Sequence, residues 1–267
     1  MNTIIFSSAT IQSWIFSIFL SIIIPLCFLW YLKRKTEAKI VSFFSGVGFS
    51  LLFSFILAVI VNILLLQTVG LKSIFGSSDH PIYSAFYGFI TAGLMAFLAS
   101  YIGIKYAMKN RLDKDNVLLF GLGKGCFESI MSVGTISITN LIAAAFINSM
   151  GSDEYFKKLG LSASELAQTK TSFQALADTP NYIFIMNATY YLLILCAHIG
   201  ISLLIFKAIT DHNCRRNLPL ALFLQTVSFV PLYLSNLPAL DSSLLLLCID
   251  FIFTFGLLYV AYQSYKK

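Results

Sequence analysis

Lys124 and Glu128 stand one helical turn apart inside the apolar stretch Gly121-Leu-Gly-Lys-Gly-Cys-Phe-Glu128. Ionisable groups inside a membrane segment mark a functional site by default, because each charge is held there against a desolvation penalty. A glutamate in dry surroundings is basic enough to take a proton from water, and a histidine beside it can orient that water or stabilise an oxyanion. His198 and Gln225, each in a further apolar stretch, are the other polar candidates for such a site. Lys124 has two readings. It favours the ionised form of Glu128 and could donate to an oxyanion, or it occupies the carboxylate in a fixed intrahelical ion pair and leaves no base. His198 and Gln225 taken singly read as hydrogen-bonding residues between packed helices, so the four together carry more information than any one.

The elements that must position these groups are membrane helices. Of 267 residues, 58% are hydrophobic and 11% charged, against about 25% charged in a soluble domain, which excludes a water-soluble globule. Apolar segments run over 11–32, 40–67, 82–107, 116–150, 181–209, 218–234 and 243–265. Each approaches or exceeds the ~20 residues that cross ~30 Å of hydrocarbon as a helix, which predicts an all-α polytopic bundle of seven spans in the cell membrane. The fourth segment is too long for one perpendicular crossing, and Gly134-Thr135-Ile136-Ser137 is the expected break, with the remainder interfacial or re-entrant. Met1 to Ser13 lacks a basic residue and the first apolar run is long, so it reads as the first span and not a signal peptide.

Thirteen of the 18 Lys and Arg fall in alternate turns and the tail: Lys33, Arg34, Lys35 and Lys39; Lys105, Lys109, Arg111 and Lys114; Lys207, Arg215 and Arg216; Lys266 and Lys267. The other turns carry Lys72, Lys157, Lys158 and Lys170. The positive-inside rule therefore predicts the N-terminus outside and the C-terminus in the cytoplasm. The net charge of +6 is explained by attraction of these turns to anionic membrane lipid, and no nucleic-acid partner is implied. With that orientation a rise of ~1.5 Å per residue puts Lys124 roughly 12 Å, Glu128 roughly 18 Å, His198 roughly 16 Å and Gln225 roughly 10 Å from the cytoplasmic side. All four lie in the inner half of the bilayer, whereas Asp250 is near the outer face.

Gly121, Gly123 and Gly125 follow no strand, so they are not a dinucleotide fingerprint. They are close-packing positions, where a neighbouring helix reaches the backbone beside Lys124. Cys27, Cys126, Cys196, Cys214 and Cys248 form no disulfide or zinc pattern and read as packing residues. The extracytoplasmic loop 151–180 holds a capping-box sequence, Ser162-Ala-Ser-Glu165, ahead of a short amphipathic helix with Leu166, Phe173 and Leu176. That helix is expected to cover the surface or to act as a lid or docking element. There is no internal repeat, and residues 1–267 read as a single integral membrane domain.

Gly121-Leu-Gly-Lys-Gly-Cys-Phe-Glu128, followed by Gly134, Ser137, Asn140-Leu141-Ile142 and Asn148-Ser149, resembles the central motif of the YhfC family of bacterial intramembrane peptidases. That family is distantly related to the CAAX endopeptidases and bacteriocin-processing enzymes. His198-Ile-Gly-Ile-Ser202 looks like the second motif, and Gln225 to Pro231-Leu-Tyr233 falls where the third would, so the likeness covers roughly 116–234. The resemblance implies hydrolysis of a peptide bond within or beside the bilayer, with Glu128 as general base and His198 assisting, on a peptide or membrane-protein substrate. In the family pattern a histidine stands at the position of Lys124 and another at that of Gln225, with an acidic residue shortly after. A glutamate or arginine precedes the fifth-span histidine there, where this chain has Tyr190 and Tyr191.

Only three histidines are present, and His80 and His212 lie in loops on opposite sides. A catalytic zinc needs three protein ligands, which Glu128 and His198 do not complete, so no cofactor is expected and a metal-free glutamate mechanism is favoured over zinc. The alternative of another class is a non-catalytic immunity, sensor, or peptide- or lipid-binding protein with the same fold. A small-solute transporter is the further alternative, without the inverted repeats or paired broken helices that would support it.

Overall fold

A computed structural model describes residues 4–68, 81–234 and 243–266; Lys72 and His80 lie outside the described residues. Among these, every regular element is helical. Hydrocarbon offers no partner to backbone N–H and C=O groups, and the helix satisfies them within the segment. Seven helices are long and apolar enough to cross a membrane: Ser8–Lys35, Ile40–Leu66, Ile82–Ala107, Lys114–Met150, Asn181–Thr210, Asn217–Leu234 and Leu244–Ser264. The chain is a multi-pass membrane protein. The bounds expected from hydropathy alone differ from these by a few residues at most.

Contacts gather the chain into two compact units, Met1–Ile24 with Ile130–Thr189, and Pro25–Ser129 with Tyr190–Lys267. The division falls inside the first, fourth and fifth spans. In the fourth span it coincides with a π-helical turn, Ile130–Gly134, between the α-helices Lys114–Ser129 and Thr135–Met150. The irregularity thus begins ahead of the Gly134-Thr135-Ile136-Ser137 stretch at which the sequence places a break.

In the first unit, Ile4, Phe6, Trp14, Ala144, Ile147 and Phe156 form a buried cluster, against which Leu166, Phe173 and Leu176 pack. Those three come from the helix Ala163–Asp178, whose start is closed by a capping box: the Ser162 side chain accepts from the Glu165 backbone, and the Glu165 carboxylate accepts from the Ser162 N–H at 2.9 Å. Helix ends leave unpaired N–H groups, and the reciprocal pair satisfies two of them. Along the first span Ser13, Ser17 and Ser21 each donate to the carbonyl four residues back, so small polar side chains are satisfied within their own helix.

The second unit is organised around the fifth span. Of the apolar window in that span, 72% is buried, against 6% in the second span, which makes the fifth the most enclosed of the seven. Ala197, Ile201, Leu204 and Ile205 from it join Val117 and Phe120 of the fourth span, Ala221 of the sixth and Leu257 of the seventh in one core. The third span lies against the sixth through its glycines: a Cβ on Gly93 would stand 2.4 Å from the Thr226 Cα, and one on Gly88 2.2 Å from the Tyr233 ring.

Candidate active site

The fourth span is held tightly from two sides beside Lys124. A Cβ on Gly123 would stand 2.1 Å from the Phe43 carbonyl oxygen, and one on Gly125 2.5 Å from the Leu195 Cα. At Gly121 it would meet the His198 carbonyl oxygen at 2.9 Å. Any larger residue must therefore push the second or the fifth span away. Close approach of these three helices seats Lys124, Glu128 and His198 against one another, all in the second unit.

The three side chains form one hydrogen-bonded chain. Lys124 and His198 are completely buried, and Glu128 is 5% exposed. Nε2 of His198 is 2.8 Å from Glu128 Oε2, and its Nδ1 is 3.4 Å from Lys124 Nζ. The ammonium also donates to the Ala96 carbonyl at 2.7 Å and to Ser100 Oγ at 2.5 Å. Glu128 Oε1 accepts from Ser50 Oγ and Ser54 Oγ, each at 2.8 Å.

Donor and acceptor rules then assign the protons. An ammonium only donates, so Nδ1 of His198 is the accepting nitrogen, and the imidazole carries its proton on Nε2, which donates to the carboxylate. Lys124 has three N–H groups and faces three acceptors. Glu128 faces three donors, as an ionised carboxylate requires. A neutral imidazole thus bridges one positive and one negative charge, and their opposition offsets the penalty of burying either. Among the described residues no direct Lys124–Glu128 ion pair forms; the ring of His198 stands between them. With its N–H groups committed, Lys124 has none left for an oxyanion.

Gln225, completely buried, lies beside His198 but outside the chain of short bonds. Its Nε2 has one long contact, 3.4 Å to Ser228 Oγ, and its Oε1 makes no well-formed bond, with His198 the side chain in reach. The Phe229 ring closes the site edge-on, 6.3 Å from the imidazole centroid.

Ser50, Ser54, Ser100 and the Ala96 carbonyl escaped the sequence reading. A faint signal existed for the first two: Ser42, Gly46, Ser50 and Ser54 recur every fourth position, a stripe of small residues along one helix face. Gly46 abuts the fourth span on it, its would-be Cβ 2.0 Å from the Phe120 carbonyl oxygen.

Residues 20–245 match the family model described as YhfC intramembrane metalloprotease. An uncharacterized membrane protein, YhfC of Bacillus subtilis strain 168, is 26% identical over 194 residues, which is 73% of each chain. No solved structure matches. The word metalloprotease calls for a metal, usually zinc, held by three protein ligands. The donor set does not fit one. Among the described residues no group of three or more His, Cys, Asp and Glu side chains could hold a metal ion. Glu128 and His198 are two donors already bonded to each other, and an ammonium occupies the neighbourhood of Nδ1, where it repels a dication.

Proposed function

The chain belongs to the YhfC family, and on that premise we propose that it hydrolyses peptide bonds within or beside the bilayer by a glutamate mechanism without a metal. The supporting observation is the Lys124–His198–Glu128 chain. A carboxylate offers about four acceptor positions, and Glu128 uses three, so one on Oε2 remains for a water beside His198. Glu128 takes a proton from that water as its oxygen attacks the peptide carbonyl, and returns the proton to the leaving amine. Lys124 and His198 act as positioning residues: the ammonium fixes the tautomer, and the imidazole N–H aims the carboxylate. The oxyanion donor in this reading is the Gln225 amide, whose only hydrogen bond through Nε2 is long.

Glu128→Gln tests the reading in proteoliposomes with a single-span peptide reporter. Cleavage is expected to vanish, because the amide keeps the shape but accepts no proton. The double variant Lys124→Met with Glu128→Gln removes both charges together and should recover near-normal folded yield without cleavage, since a buried pair is replaceable as a unit. Turnover in either variant would sink the proposal.

A second reading, a non-catalytic relative that binds a peptide or lipid, draws on the same geometry: donors and acceptors in the buried triad are nearly matched already. It predicts an intact wild-type fold, no cleavage of any membrane peptide, and only a stability change in Glu128→Gln. For the metal, we expect far less than one zinc per purified chain and no effect of chelators on melting. Stoichiometric zinc that disappears in His198→Ala would return the chain to the metallopeptidases.

A further inference from the structure

The start of the sixth span and the end of the seventh line a half-open cavity of about 190 Å³ in the second unit, away from the buried triad. Arg216, Asn217, Tyr259, Val260 and Gln263 are among its lining residues. At this volume it is too small for a drug-sized ligand, whose pockets run from ~300 Å³ upward, but it has room for a phosphate group.

Its chemistry is that of an anion site. The Arg216 side chain is exposed and enters no ion pair or hydrogen bond among the described residues. Asn217 is 7% exposed and lines the cavity, and its side-chain amide likewise has no partner there. In the first turn of the helix Asn217–Val227 the Leu218 N–H is taken by the Arg215 carbonyl at 3.1 Å and Pro219 carries no N–H, so side chains are the main donors to the cavity. The nearby Asp211 carboxylate is answered within its own turn by Lys207 at 3.4 Å and by the Asn213 N–H at 3.0 Å.

The remaining wall says what carries the anion. Tyr259 and Val260 are 63% and 39% exposed on a membrane-spanning helix, a surface along which acyl chains run. We infer that this cavity binds the phosphate of an anionic phospholipid, with the Arg216 guanidinium and the Asn217 amide donating to its oxygens and the lipid tails lying on Tyr259 and Val260.

Delipidated full-length protein in detergent, titrated with phosphatidylglycerol, phosphatidylcholine or inorganic phosphate while melting is followed, tests this. Phosphatidylglycerol should raise the melting temperature, and the other two should not. Arg216→Gln should raise the half-maximal phosphatidylglycerol concentration about fivefold, the worth of one basic residue at a membrane surface. Asn217→Asp, a substitution a helix start tolerates well, should abolish the effect by placing a carboxylate in the cavity. Arg111→Gln, in another basic turn, should change nothing. Equal stabilisation by inorganic phosphate would mean a free-anion site, and equal stabilisation by phosphatidylcholine would remove the role of net charge. A shift in Arg111→Gln matching that in Arg216→Gln would mean diffuse attraction. Each of those three results overturns the inference.

Discussion

Lys170 and Asp153, on the short helices of the first unit, meet at 2.8 Å with side chains 29% and 85% exposed. Lys124 and Glu128 of the second unit have almost no exposure and reach each other through His198. Each pair sets an ammonium against a carboxylate, and the surroundings reverse their weight. Water screens the first pair and can replace either partner, so its geometry constrains little else. Shut off from bulk water, each donor in the second must find an acceptor in the protein. The ammonium draws in the Ala96 carbonyl and Ser100, and the carboxylate draws in Ser50 and Ser54. A buried charge thereby dictates residues on helices far away in sequence, and an exposed one does not.

The largest test of that contrast is Lys124→Met. It strands the Glu128 carboxylate without a cation and takes one donor each from Ser100 and the Ala96 carbonyl, and breaking a buried pair from one side costs roughly 3–5 kcal/mol. Folded yield by fluorescence-detected size exclusion should collapse; a yield near wild type would erase the distinction between the two regions.

An intermediate effect is expected at Ser162→Ala, which opens the capping box of the helix Ala163–Asp178. Loss of such a cap costs about 1 kcal/mol, and it should appear as faster amide exchange in that helix with the transmembrane core unchanged. Exchange spreading into the spans would show that the exposed helix is not energetically local.

Asp153→Asn should have the smallest effect, with no resolvable change in melting temperature at neutral pH. Its sign is nonetheless defined. The hydrogen bond and charge of Lys170 hold the Asp153 carboxyl below its ordinary range. A lowered carboxyl contributes stability above the unfolded value and loses it as pH falls through the folded one, so the substitution can flatten only the acid limb of a pH–stability profile. A change confined to alkaline pH would contradict the assignment.

Much of this molecule was legible along the chain. Span number and bounds follow from local hydropathy, because crossing hydrocarbon is a requirement on contiguous residues. The capping box at Ser162 to Glu165 is equally local. The depth arithmetic placed Lys124, Glu128, His198 and Gln225 in the same half of the bilayer, since rise per residue is fixed within a helix. What it could not supply is azimuth, the direction each helix face takes toward its neighbours. Lys124 and Glu128 read as a pair one turn apart, and only packing put the His198 ring between them. The glycine contacts with Phe43 and Leu195 determine how near the second and fifth spans come, and so which serines reach the carboxylate. The Ala96 carbonyl, a partner of the ammonium, has no signature in residue identity at all, because every residue carries one; tertiary structure alone selects which carbonyl is left facing a charge.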